Sequence, residues 1–120
     1  MSYYHINKPE IDLSDDITDS SMIYTKGREN LLKFMEEGYV VEDEQERIYL
    51  YSQQMGTHIQ YGILALSSVD DYENGLIKRH ELTLPKKELD RTNLCDIQGA
   101  SAEPVFLAYR GSKVIEDLML

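Results

Sequence analysis

Arg47-Ile48-Tyr49-Leu50-Tyr51-Ser52-Gln53-Gln54-Met55-Gly56-Thr57-His58-Ile59-Gln60-Tyr61-Gly62-Ile63-Leu64-Ala65-Leu66-Ser67 decides the fold class. From Arg47 to Gln54, Ile48 and Leu50 alternate with Tyr49 and Tyr51, the period of a strand. Met55-Gly56 reads as a hairpin turn, since glycine takes the turn conformations a side chain resists. From Thr57 to Ser67, Ile59, Tyr61, Ile63 and Ala65 alternate against Leu64 and Leu66. That second run is apolar on both faces, so it reads as a central strand covered on both sides. The aromatic side chains carry no interleaved bases, so sheet packing is favoured over base stacking.

Working outward, helical periodicity flanks the hairpin. Before it, Tyr24, Gly27, Leu31, Phe34 and Met35 fall near one face of a helix that Ser20 or Ser21 can cap and Gly38 can end. Gly27 in the interior disfavours helix relative to alanine by up to about 1 kcal/mol. A close backbone approach would account for it. Tyr39-Val40-Val41 is a short apolar run, and Glu42-Asp43-Glu44 reads as a turn. After the hairpin, Val69 to Gly75 reads as one helical turn or a tight loop. Thr83 and Pro85 then open a helix from about Pro85 to Gln98, with Leu89, Leu94 and Ile97 inward and Gly99 at its end. Pro104 to Tyr109 alternates like a further strand, and Ser112 can cap a last short helix. Residues 3–18 read as an extended acidic lead-in, with Pro9 disfavouring helix just before it. The predicted fold is α+β: a mostly antiparallel sheet of about four strands with two longer helices. The expected organisation is one domain, with 1–19 as the lead-in and 20–120 as the globular module.

Bulk composition narrows function by exclusion. The 120 residues carry 22 acids against 12 bases, a net charge of −10, and 42% hydrophobic residues. That supports one packed core. It opposes a nucleic-acid surface or an anionic membrane surface, both of which need clustered Lys and Arg. The single cysteine, Cys95, cannot close an internal disulfide, which points to a reducing, cytoplasmic setting. No apolar run approaches the roughly 20 residues of a membrane span. The N-terminus shows no basic region followed by an apolar one, so no signal peptide is expected.

Chemistry-bearing residues concentrate in Ile77-Lys78-Arg79-His80-Glu81-Leu82-Thr83-Leu84-Pro85. His80 and Glu81 are the acid/base candidates, since imidazole titrates near neutrality. Arg91, with Arg79, could hold a carboxylate or phosphate. Asp90 could orient His80, and Thr83 and Asp90 complete a polar cluster. The competing structural reading has Glu81 capping the helix and Arg91 pairing with Glu88. A metal site is not expected: His5, His58 and His80 lack ligand spacing, and one cysteine makes no zinc motif. Asp12, Ser14, Asp15, Asp16 and Asp19 lack the glycine and closing glutamate of a calcium loop, so they read as a solvated loop. Cys95 reads as a small buried hydrophobe. Gly99-Ala100-Ser101-Ala102 lacks the lysine and spacing of a phosphate loop, and no cofactor is expected.

His80-Glu81-x-Thr83, Asp90-Arg91 and Pro104-Val105-Phe106-Leu107-x-Tyr109 together resemble the middle of the family catalogued as domain of unknown function 1015. So do Leu31-Leu32-Lys33-Phe34-Met35-Glu36-Glu37-Gly38, Ile48-Tyr49-Leu50-Tyr51, Tyr61-Gly62-Ile63-Leu64-Ala65-Leu66 and Asp71-Tyr72-x-x-Gly75. The resemblance covers about residues 22–115. It implies that full-length members are several times longer. They carry an Asp-Gly-His-His-Arg signature similar to that of ADP-dependent free serine kinases of ParB/sulfiredoxin-like fold. This chain lacks the signature, so the implied nucleotide-linked phosphotransfer is not carried onto it, and the chain reads as a fragment, an expressed domain or a short relative. The reading adopted is a non-catalytic module. The alternatives are a kinase-like catalytic domain using His80, Glu81 and Arg91, and a protein–protein interaction module. Self-association, as a homodimer, is expected from the uncharged strands; a small-molecule ligand is left unidentified.

Overall fold

In a computed structural model, the structure describes residues 2–79 and 81–119. Its elements in chain order are α1 (Tyr4–Asn7), a 3₁₀ turn (Pro9–Asp12), α2 (Ser20–Glu36), β1 (Tyr49–Met55), β2 (His58–Leu64), α3 (Val69–Glu73), α4 (Pro85–Gln98) and α5 (Lys113–Met119). The chain is mixed α+β. The sheet among the described residues is two-stranded and antiparallel, not about four-stranded. The run 104–109, expected as a strand, forms no regular element. Its alternation makes it able to pair, but a strand exists only where a neighbour supplies the hydrogen bonds.

Contacts divide the chain into two compact units. The helical unit contains the chain up to Glu42 and from Glu81 to Glu103. The hairpin unit contains the rest, beginning at Asp43 and again at Pro104.

In the helical unit, Asp19 caps α2: its side chain accepts from the Ser21 backbone N–H at 2.9 Å. The cap lies one residue before the expected serines. Gly38 ends α2 with φ +76°. Gly38 N–H donates to Met35 O at 3.1 Å and Tyr39 N–H to Phe34 O at 2.9 Å, the paired bonds of a Schellman ending. Its accompanying apolar contact is the Tyr39 ring, edge-on to Phe34 with centroids 5.6 Å apart.

α4 has the expected bounds, with Pro85 at its start and Gly99 as its left-handed cap. Residues 4–12 are not extended as expected. They form α1 and the 3₁₀ turn, separated by Lys8 at φ −131°, ψ 59°, a break imposed by the following Pro9. Ile6 and Pro9 from this segment are buried with Tyr24, Gly27, Phe34 and Leu94. Met35 and Leu89, expected inward, are exposed. Asn30 and Gln98 occupy the inner face in their place, with only 2% and 4% of their surfaces exposed. The interior glycine meets a close approach, made chiefly by side chains where a backbone was expected: a Cβ on Gly27 would lie 2.7 Å from Gln98 Nε2 and 3.3 Å from Pro9 Cγ, with the backbone Ile6 O at 3.4 Å.

In the hairpin unit, β1 and β2 pair without a bulge from Tyr49↔Leu64 to Met55↔His58. The turn is therefore Gly56-Thr57, one residue later than expected. Gly56 has φ +62° and Thr57 does not, the sign pattern of a type II′ turn, which matches hairpin twist. Every residue of β1 is exposed, and in β2 only Gly62 is half-buried. The expectation of a central strand covered on both faces is overturned. Ser68 Oγ caps α3 by accepting from Asp71 N–H. No helix among the described residues is long and apolar enough to cross a membrane.

Candidate functional site

The densest polar chemistry lies where α1 and the 3₁₀ turn meet α2 and α4. Asn30 projects from the buried stripe of α2, three residues after Gly27 and four before Phe34. Its amide has two hydrogens. Nδ2 donates to His5 O and to Asp12 Oδ2, both at 2.8 Å. His5 Nδ1 stands 2.7 Å from Asp12 Oδ1. A carboxylate only accepts, so this ring nitrogen carries the proton. From α4, Gln98 Nε2 donates to Ile6 O at 2.7 Å. Tyr3 donates its hydroxyl proton to Ala102 O at 2.9 Å. Two helices thus hold the first turns of the chain by their backbone carbonyls, which α1 is too short to satisfy internally.

Electrostatics agree with this geometry. Burial alone would raise the Asp12 carboxyl, but hydrogen bonds from Asn30 and His5, with the charges of His5 and Lys26, hold it below its ordinary value. Tyr24 donates to Asp90 Oδ1 at 2.6 Å. That bond, together with burial, raises the phenol above its ordinary value. Tyr3 is also raised, by burial first and then by Glu103.

Beside this clamp is a cavity of about 150 Å³, edged by Asn7, Lys8, Tyr24, Asp90 and Arg91 over Leu94. It has room for about five waters and lies below the roughly 300 Å³ at which small-molecule pockets begin. Both cations on its rim already face carboxylates. Lys8 Nζ is 3.8 Å from Glu10 and Arg91 Nη1 is 3.3 Å from Glu103. These pairs are half-exposed and add little stability, but they fix where the cations point.

The residues singled out in the sequence are distributed as follows. His80 lies outside the described residues. Glu81 is exposed in the helical unit. Thr83 Oγ1 donates to Glu88 Oε2 at 3.1 Å, while Leu84 holds the cap position of α4. Asp90 accepts from Tyr24. Arg91 pairs with Glu103, where the structural reading had Glu88. Arg79 belongs to the hairpin unit, with its guanidinium carbon 4.4 Å from the centre of the Tyr72 ring, a cation–π contact. The clamp residues His5, Asp12, Asn30 and Gln98 were not singled out as a set. Among the described residues no group of three or more His, Cys, Asp and Glu could hold a metal ion. Cys95 is half-buried and unpaired in any disulfide.

The sequence model of the family described as "Protein of unknown function (DUF1015)" matches residues 1–120, the whole chain. No curated protein matches the chain. No solved structure matches it either.

Proposed function

The chain belongs to that family of unknown function, and on that premise we propose that it is a non-catalytic module which associates with a second copy of itself through its hairpin unit. One observation carries this reading. No Asp, Glu, Lys or Arg occurs from 48 to 69, in a chain that is 28% charged. That stretch contains the whole hairpin, and it leaves Tyr49, Leu50, Tyr51, Ile59, Tyr61, Ile63 and Leu64 each at least 40% exposed. A two-stranded hairpin is marginal by itself in water and is stabilised by further strands or a covering element. Sheet edges that stay monomeric are guarded by lysine, proline, inward charge or a bulge. None of these devices occurs in β1 or β2.

The helical unit supports the non-catalytic half of the proposal. Thr83, Asp90 and Arg91 are each engaged by a neighbour in the chain. The His5–Asp12–Asn30 network does what a structural clamp does, pairing the His5 carbonyl and the Asp12 carboxylate within the chain.

The net charge of −10 opposes association, and salt screens it over about 10 Å at 0.1 M. Sedimentation equilibrium at low and moderate salt therefore tests the proposal. Association that strengthens with salt is the expected result, and a monomer at both salts overturns it.

A further inference from the structure

The register of the hairpin distinguishes its two edges. Met55 and His58 flank the two-residue turn, so they form the hydrogen-bonded pair that closes it. Bonded and non-bonded pairs alternate from there. The backbone groups of Tyr49, Tyr51, Gln53 and Met55 then point into the hairpin, opposite those of Leu64, Gly62, Gln60 and His58. Those of Leu50, Ser52 and Gln54 point out from β1. Those of Ile59, Tyr61 and Ile63 point out from β2.

The two outward rows differ. On β1 the row reads Leu, Ser, Gln, which has no symmetry. The chain leading into β1 is acidic at Glu42, Asp43, Glu44 and Glu46, and Asp43 reaches the strand itself, where it accepts from the Tyr49 hydroxyl and pairs with Arg47. On β2 the row reads Ile, Tyr, Ile, the same in both directions. The chain leaving β2 stays uncharged to Val69.

Resting on the proposed self-association, we infer that the partner is a second β2, docked antiparallel with the two-fold axis at Tyr61. This register sets Ile59 opposite Ile63 of the second copy and Tyr61 opposite its own symmetry mate. The six side chains, three from each copy and all on one face of the sheet, are then matched apolar or aromatic cross-strand pairs, the kind that stabilise antiparallel sheet. Gly62 falls opposite Gln60 on the other face, so no bulky pair collides there. The product is a two-fold symmetric, four-stranded sheet in the order β1-β2-β2-β1, with the two β1 edges outermost. Two-fold closure accounts for a dimer and not a fibre.

The test uses the whole chain in a Cys95→Ser background with one new cysteine, either Tyr61→Cys or Ser52→Cys, under mild oxidation. Facing residues of a bonded antiparallel pair have Cα atoms about 5.5 Å apart, within the span of a disulfide. Tyr61→Cys is expected to give a covalent dimer rapidly, and Ser52→Cys to stay reduced. A third variant, Tyr61→Lys, puts two like charges face to face and is expected to be monomeric where the parent is dimeric. If Ser52→Cys crosslinks instead, or neither does while the parent still associates, the β2 register is overturned and the self-association stands. If the parent is monomeric, both fall.

Discussion

Replacing Gly27 with alanine should destabilise the chain, although alanine is the better helix former. In an open helix interior the change would gain up to about 1 kcal/mol. Here the new Cβ would stand 2.7 Å from Gln98 Nε2, so the Gln98 amide must move. That amide is the far end of a flexible side chain, and moving it costs little in sterics. The cost is the bond it donates to Ile6 O at 2.7 Å, in a place sealed from water. Stranding a buried carbonyl costs about 1–3 kcal/mol. Pro9 Cγ at 3.3 Å limits relief on the other side. The net expectation is a loss of about 1–2 kcal/mol, read as a lower urea midpoint by circular dichroism. A double-mutant cycle isolates the cause. In a Gln98→Ala background the 2.7 Å contact is gone, and Gly27→Ala should be neutral or stabilising by up to about 1 kcal/mol, a coupling of about 1–3 kcal/mol. A single Gly27→Ala variant that melts later than the parent would refute the close packing of α2 on α1 and α4.

The remaining expectations concern the same unit. Asn30→Ala should cost about 1–3 kcal/mol in denaturant melts, because it strands His5 O and removes one of the two donors to Asp12. The Asp12 carboxyl is depressed in the folded chain, so its stabilising share is present above the unfolded value near 4 and is lost as pH falls through the lower folded value. The parent should therefore lose more stability than Asn30→Ala between about pH 6 and pH 3; equal losses would count against the network. Tyr24 is shifted the other way, so its contribution holds below about pH 10 and is lost as pH rises through the higher folded value. Ultraviolet titration should show late phenols at Tyr3, Tyr24 and Tyr49, with one fewer in Tyr24→Phe. Gly38→Ala forces a side chain into the left-handed region and should lower stability by about 1 kcal/mol, with no steric contribution, since nothing lies within 4 Å.

The long helices were legible because periodicity and punctuation agree. Pro85 and Gly99 bracket α4, and Gly38 closes α2. Asn30 was not, because a polar residue on an amphipathic helix is read as facing water. Its position supplied the signal: it lies on the apolar stripe, between Gly27 and Phe34. Gln98, four residues after Leu94, is the same case. The first turns of the chain escaped because α1 and the 3₁₀ turn are each four residues long, too short for a period to register. The sheet was overcounted for a different reason. Alternation at Val105–Tyr109 states a capacity to pair, whereas a strand needs a partner that sequence does not specify. The buried look of β2 came from apolar residues on both faces, yet Ile59, Tyr61, Ile63 and Leu64 are all exposed. Within the polar cluster, residue type pointed to ions and proton transfer. Arg91 and Asp90 instead meet Glu103 and Tyr24, contacts distant in sequence that no spacing rule reaches.

The central claim is association through the hairpin. Light scattering coupled to size exclusion, at low and moderate salt and high protein concentration, measures it most directly. The account predicts a mass of twice 13.9 kDa, more fully populated at the higher salt. A mass of 13.9 kDa in both buffers would contradict it.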